Sequence, residues 1–160
     1  MLIFYRLPLF LFFRFLIQDI YLYLCMLSKR TKYGIKALTF IARQEEDAPV
    51  QTSTVSACEN ISHKFLESIL LTLRKAGFLG SKKGKGGGYY LLKDASDISM
   101  IDVIRVLEGP IAMLPCVSLN FYEKCADCPD ENTCSIHKLM LEVRDNTLKV
   151  LRNKFLSDLV

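Results

Sequence analysis

The sequence lacks an apolar run free of charge, a small-residue cleavage site and a Gly-Lys-Ser/Thr loop. Each absence excludes a function class. Residues 1–25, MLIFYRLPLFLFFRFLIQDIYLYLC, have the length of a membrane span, and 20 of the 25 are apolar. Arg6, Arg14, Gln18 and Asp19 interrupt them, and each mid-span charge costs about 2.5–3.5 kcal/mol of insertion. Arg14 also breaks the apolar region of any export signal. In the glycine run Lys85 is followed by Gly86 and strand-like residues, so a Walker loop does not fit. A dinucleotide fingerprint would need glycine where Tyr89 stands.

With 51% apolar and 24% charged residues, the 160-residue chain is neither a disordered tail nor a multi-span membrane protein. Its length allows one ordinary domain or two small ones. Three stretches differ in composition. Residues 1–25 are an apolar N-terminal extension. The fresh start at Met26, followed by Leu27-Ser28-Lys29-Arg30, suggests that Met26 begins the protein and that the extension is not translated; a membrane anchor is the alternative. Residues 26–93 hold 12 Lys and Arg against 5 Asp and Glu, whereas residues 94–160 hold 7 against 11. A basic half joined to an acidic half suggests a polyanion-binding module coupled to something else.

Apolar spacing predicts a helix over residues 29–43, through Ile35, Leu38, Ile41 and Ala42. It predicts a short helix over 52–59, and a third from the cap Ser62 to Ala76 with Phe65, Leu66, Ile69, Leu70 and Leu73 inward. Asn60 suits the turn between them, and Gly77 stops the third. Residues 78–92 read as two strands around a glycine-lysine loop. Helix, turn, helix and basic hairpin together are a winged helix-turn-helix. Further helices are expected over 98–108 and 136–155. The fold class is mainly α with a small β-hairpin, ending in a long helix. That helix has two apolar faces, one through Ile136, Leu139, Met140, Val143, Val150 and Leu151, the other through Leu141, Leu148 and Phe155. Two faces want two partners: its own domain and a second subunit.

DNA binding needs cations along the phosphates and polar groups that reach base edges. Ser62, His63, Lys64, Glu67 and Ser68 occupy the start and polar face of the third helix, where base readers sit. Lys82, Lys83 and Lys85 line the wing without acidic neighbours and can follow a backbone or enter the minor groove. A solvated lysine face is the bland alternative, and His63 is equally an exposed helix-start residue with no role.

Of six cysteines, Cys25 lies in the extension, and Cys58 reads as a small buried hydrophobe. Cys116, Cys125, Cys128 and Cys134 fall within nineteen residues, with His137 three positions after the last. Such a set, in a chain without an export signal, points to a soft-metal site rather than structural disulfides. Zinc or an iron–sulfur cluster would take these donors, and spacing alone does not separate them. Redox-active thiols are the other reading. A catalytic Cys134–His137 pair lacks a third orienting group.

Together these residues resemble the Rrf-two family of bacterial winged-helix regulators. The resemblance runs from residue 26 to about 155. It is carried by Ile61-Ser62-His63-Lys64-Phe65-Leu66-Glu67, by Leu73-Arg74-Lys75-Ala76-Gly77-Phe78-Leu79, and by Gly84-Lys85-Gly86-Gly87-Gly88-Tyr89. It implies a cytoplasmic, non-enzymatic transcription regulator, with repressors among its kind, that takes no small-molecule substrate. It implies a homodimer paired through the C-terminal helix on palindromic double-stranded promoter DNA. It also implies an iron–sulfur cluster, two-iron or four-iron, with redox, nitric oxide or iron status as the signal and zinc or thiol sensing as the alternative. Cys116, Cys128 and Cys134 match the family's three cysteines, and His137 matches a fourth ligand used by some members. Lys83 stands where the wing often carries Arg, and Lys85 where it often carries Pro. Cys125 is an additional thiol. The expected ligand set is Cys116, Cys125, Cys128 and Cys134, with His137 in place of Cys125 as the alternative. An iron–sulfur or thiol electron carrier remains the competing function.

Overall fold

The computed structural model describes residues 27–44 and 48–160. The expectation on residues 1–25 lies outside the described residues, as does the part of the first helix stop that falls on 45–47. Among the described residues no helix is long and apolar enough to cross a membrane.

Helix α1, Lys29–Ala42, starts at Ser28, whose hydroxyl accepts the Thr31 amide at 3.2 Å. Its inward stripe is Thr31, Gly34, Ala37, Leu38 and Ile41. Ile35 and Ala42, expected inside, are only half-buried. Small residues take the inner line because two other helices cross there: a Cβ on Gly34 would strike Leu107. Helix α2, Thr52–Glu59, turns at Asn60 in the left-handed region, φ 53°. Lys36 Nζ meets Glu59 Oε2 at 2.6 Å and ties α1 to α2.

Helix α3, His63–Lys75, buries Leu66, Ile69, Leu70 and Leu73 completely. Ser62 occupies the cap position, but its side chain makes no capping bond. Phe65 is a second departure, 37% exposed and edge-on to Tyr33 with ring centroids 6.1 Å apart. After the helix Gly77 follows at φ 81°, as the sequence predicts.

Strands β1, Leu79–Lys82, and β2, Gly88–Leu91, pair antiparallel, with Leu79 opposite Leu91 and Lys82 opposite Gly88. Val50 adds a bridge on the far side of β2 through two 2.8 Å bonds with Tyr89. The hairpin is thus anchored to the segment leading into α2. Helix α4, Met100–Glu108, starts two positions later than the spacing suggests, because Ile98 is extended and buried. Helix α5, Ser135–Arg152, stops three residues early. The chain then turns back: Met100 donates to the Lys154 carbonyl and Leu156 to that of Ile98, both at 2.9 Å. Leu156 enters the core shared by α1, α3, α4 and the hairpin. This mainly helical, hairpin-bearing winged helix is the fold class read from the sequence.

Glu108 closes α4 against the start of α1. Its Oε2 accepts the Ser28 amide at 3.0 Å, the Ser28 hydroxyl at 2.7 Å and the hydroxyl of buried Thr31. Burial pushes this carboxyl up, but the bonds from Thr31 and Ser28 outweigh it and hold it below its ordinary value of 4.5. A lowered folded value means the contact stabilises fully above that ordinary value and is lost as pH falls through the folded one. Glu108→Gln is therefore expected to cost about 1 kcal/mol at neutral pH, discounted for the carboxylate's solvent exposure. Urea melts of the two proteins should converge as pH falls below 4.5; a gap that persists in acid would defeat this account.

Candidate functional site: the basic face and the cysteine loop

The fold presents the expected DNA-reading side chains on one exposed edge. Ser62, His63, Lys64, Glu67 and Ser68 all face solvent on the first two turns of α3, whose opposite side is clamped by the core. His63 Nδ1 lies 3.6 Å from Glu67 Oε1 one turn on. The Ser68 hydroxyl donates to the Phe65 carbonyl at 2.7 Å. Lys82, Lys83 and Lys85 are exposed on the wing, and among the described residues none of them forms an ion pair. Such unpaired cations are free to meet phosphates.

Two contacts that spacing did not reveal fix the geometry of this face. Arg74 Nη1 donates to Ser81 Oγ at 3.1 Å, linking the end of α3 to β1. Arg30 Nη2 donates to Thr72 Oγ1 at 2.6 Å, linking α1 to the third turn of α3. An arginine in a helix's last turn is the only sequence signal for the first; the second had none.

Cys58 is exposed, not a buried core residue. The inward stripe of α2 runs through Thr52, Val55, Ser56 and Glu59, and residue 58 falls off it.

The cysteine loop joins α4 to α5. Cys116 sits in a short 3-10 turn, Pro115–Val117, and is buried with Val117 and Ser118. Its sulfur lies 3.5 Å from His137 Nδ1. Cys134 caps α5, its sulfur accepting the His137 amide at 3.4 Å. The Cys128 amide donates to the Cys125 carbonyl at 3.2 Å, so these two share a tight turn. Desolvation pushes the Cys116 thiol up, and neighbouring Cys125 and Glu131 push it further. Desolvation also raises Cys128, with Cys134, Cys125 and Glu131 adding to it. Crowded sulfurs repel one another's negative charge, and metal binding must displace their protons.

Of the five candidate ligands, Cys116 meets the His137 ring, Cys134 accepts the His137 amide, and Cys125 and Cys128 share one turn. Among the described residues no three His, Cys, Asp or Glu side chains enclose a point that would hold an ion. The donors are nonetheless those of a soft-metal centre: thiols and one imidazole on a single loop against one helix end.

Residues 27–160 match the family described as Rrf2, Iron-dependent Transcriptional regulator. The chain belongs to the Rrf2 family. Its fold is that of the family, and the chain is a DNA-binding transcription regulator of the Rrf2 type. An HTH-type transcriptional regulator of Rhodobacter capsulatus, described as rrf2-like, is 38% identical over 138 residues, 84% of this chain and 92% of the relative. The HTH-type transcriptional regulator IscR of Yersinia pseudotuberculosis is 31% identical over 134 residues, 84% of this chain and 78% of the relative. Among solved structures CymR, the global cysteine regulator of B. subtilis, superposes with a TM-score of 0.69 at 29% identity, covering 85% of this chain and 96% of that one. These relatives of the Rrf2 chain are transcription regulators.

Proposed function

We propose that this Rrf2 protein acts as a homodimer on palindromic promoter DNA and that its binding follows the state of an iron–sulfur cluster held by the cysteine loop. The observation that carries the reading is the convergence of Cys116 and His137 from two sequence-distant elements, with Cys125, Cys128 and Cys134 on the same loop. Cys116, Cys125, Cys128 and Cys134 would hold the cluster, with His137 as the alternative to Cys125. A bound cluster would supply a centre that oxidants and nitric oxide alter. The protein's own part is to hold the sulfurs at the head of α5 and to transmit loop changes along that helix. Ser62, His63, Lys64, Glu67 and Ser68 would read the major groove, and Lys82, Lys83 and Lys85 the backbone or minor groove.

Dimerisation is supported by the outer face of α5, where Ile136 is 61% and Val150 63% exposed. An apolar groove of about 630 Å³ runs beside it, lined by Leu27, Ile104, Met113, Val143 and Leu151. A second α5 would cover such a surface. Two recognition helices would then stand about 34–36 Å apart, or a multiple of that distance.

Protein purified without oxygen should contain iron and acid-labile sulfide. Cys125→Ser should lose that iron while His137→Ala keeps it; the reverse would make His137 the ligand. A colourless protein with one zinc per chain would replace the sensor reading with a structural-zinc one. On a palindromic duplex, log K against log salt should fall by about 0.9 per phosphate contact, and replacing Lys82, Lys83 and Lys85 by Ala should flatten that slope by about 2–3. No change in slope would place the wing off the DNA.

A further inference from the structure

The buried stretch of the cysteine loop is tied to α5 by a charged side chain. Arg144 lies on α5, two turns beyond His137, so both point from the same stripe of the helix toward residues 115–118. His137 meets the Cys116 sulfur, and Arg144 Nη1 donates to the Val117 carbonyl at 2.7 Å. The Arg144 side chain is only 13% exposed, and Nε and Nη2 both donate to Asp145 Oδ1, at 2.8 and 2.7 Å. Val117 is itself buried, so its carbonyl has little access to water and depends on this donor. The next peptide units are held by the turn: the Ser118 amide donates to the Pro115 carbonyl at 3.0 Å, and the Glu123 amide to the same oxygen at 3.3 Å. Removing Arg144 would free the one hydrogen bond that, among the described residues, joins this turn's backbone to the helix that carries His137.

We propose that Arg144 is a positioning residue that pins the Pro115–Val117 turn to α5 and so sets Cys116 against His137 and the other thiols. The assignment deepens the reading of this loop as a ligand set and rests on it. Arg144 touches no sulfur; it acts through the Val117 carbonyl. A planar guanidinium suits the task because one edge binds Asp145 while another nitrogen reaches the carbonyl, which an ammonium does less well.

The experiment separates this role from the cluster. In the reduced, metal-free full chain, the rate at which iodoacetamide alkylates each cysteine is followed by mass spectrometry. Cys116, 6% exposed, should react slowly, and exposed Cys58 should serve as the internal standard. Arg144→Met should speed Cys116 about tenfold, the weight of one buried charged hydrogen bond, and leave Cys58 unchanged. Arg144→Lys should fall between wild type and Met. If Arg144→Met does not fold, the comparison of wild type with Arg144→Lys decides, and Cys116 must still accelerate ahead of Cys125, Cys128 and Cys134. Equal acceleration of all four loop thiols, or none at Cys116, overturns the proposal. In iron-loaded protein the same variants should shift the visible absorption bands in the order Arg, Lys, Met, which general loosening would not grade. Should the wild type carry no iron while Arg144→Met unmasks Cys116, the positioning role stands and the cluster reading falls.

Discussion

Leu156→Ala is expected to lower the unfolding free energy by about 2–5 kcal/mol, the range for emptying a fully buried leucine site. Leu156 is 0% exposed and belongs to the core formed by α3 and its neighbours, although it follows the end of the long C-terminal helix. Backbone bonds hold the same segment: Leu156 to Ile98, and Met100 to Lys154. Arg43 Nη2 also donates to the Leu159 carbonyl at 3.1 Å. The tail therefore sews the far end of α5 to both α1 and the start of α4. An 18-residue helix spans about 27 Å at 1.5 Å per residue. Cys134 caps it and His137 lies in its first turn, so one helix connects the cysteine loop to the core around α3. Urea denaturation followed by circular dichroism measures the loss, and DNA affinity should fall with it. A loss under about 0.5 kcal/mol, the usual surface range, would mean that the tail is not part of this core.

Residue patterns exposed the parts of this protein that repeat or punctuate. The stripe Leu66, Ile69, Leu70 and Leu73 named its own buried face, and Asn60 and Gly77 named the turns around α3. The wing was legible because glycine and lysine leave little alternative to a hairpin tip. Burial of single residues was less legible where several elements meet. Ile35 gave way to Gly34 and Ala37 because two helices cross α1 there, and Cys58 lies off the inward line of α2 by one position. Contacts distant in sequence were hidden altogether. Glu108 and Ser28 are 80 positions apart, Val117 and Arg144 27, and neither pair has a local periodicity to announce it. The cysteine cluster was visible as composition; the pairing of Cys116 with His137 needed the fold.

A Gly88→Ala protein should bind promoter DNA at least tenfold more weakly, because the methyl group would land on backbone rather than on a side chain that can swing away. A Cβ at this position would strike the Val50 carbonyl and approach the Gln51 nitrogen at 2.9 Å. Val50 is buried, and its two bonds to Tyr89 are what fasten the wing to the body of the domain. Forcing the strands apart costs about 1–3 kcal/mol of overpacking, and each of the two bonds, if broken, adds about 0.5–1.5 kcal/mol. The damage falls on the interface because Gly88 is the register partner of Lys82. A displaced β2 moves the basic tip, including Lys83 and Lys85, away from the line set by α3. Fluorescence anisotropy with a palindromic duplex measures the affinity, and Lys82→Ala supplies the comparison. Lys82→Ala should lower the salt slope by about one unit while leaving the melting temperature in place. Gly88→Ala should lower both melting temperature and affinity. Wild-type affinity in Gly88→Ala, with unchanged melting, would show that the Val50–Tyr89 contact does not hold the wing.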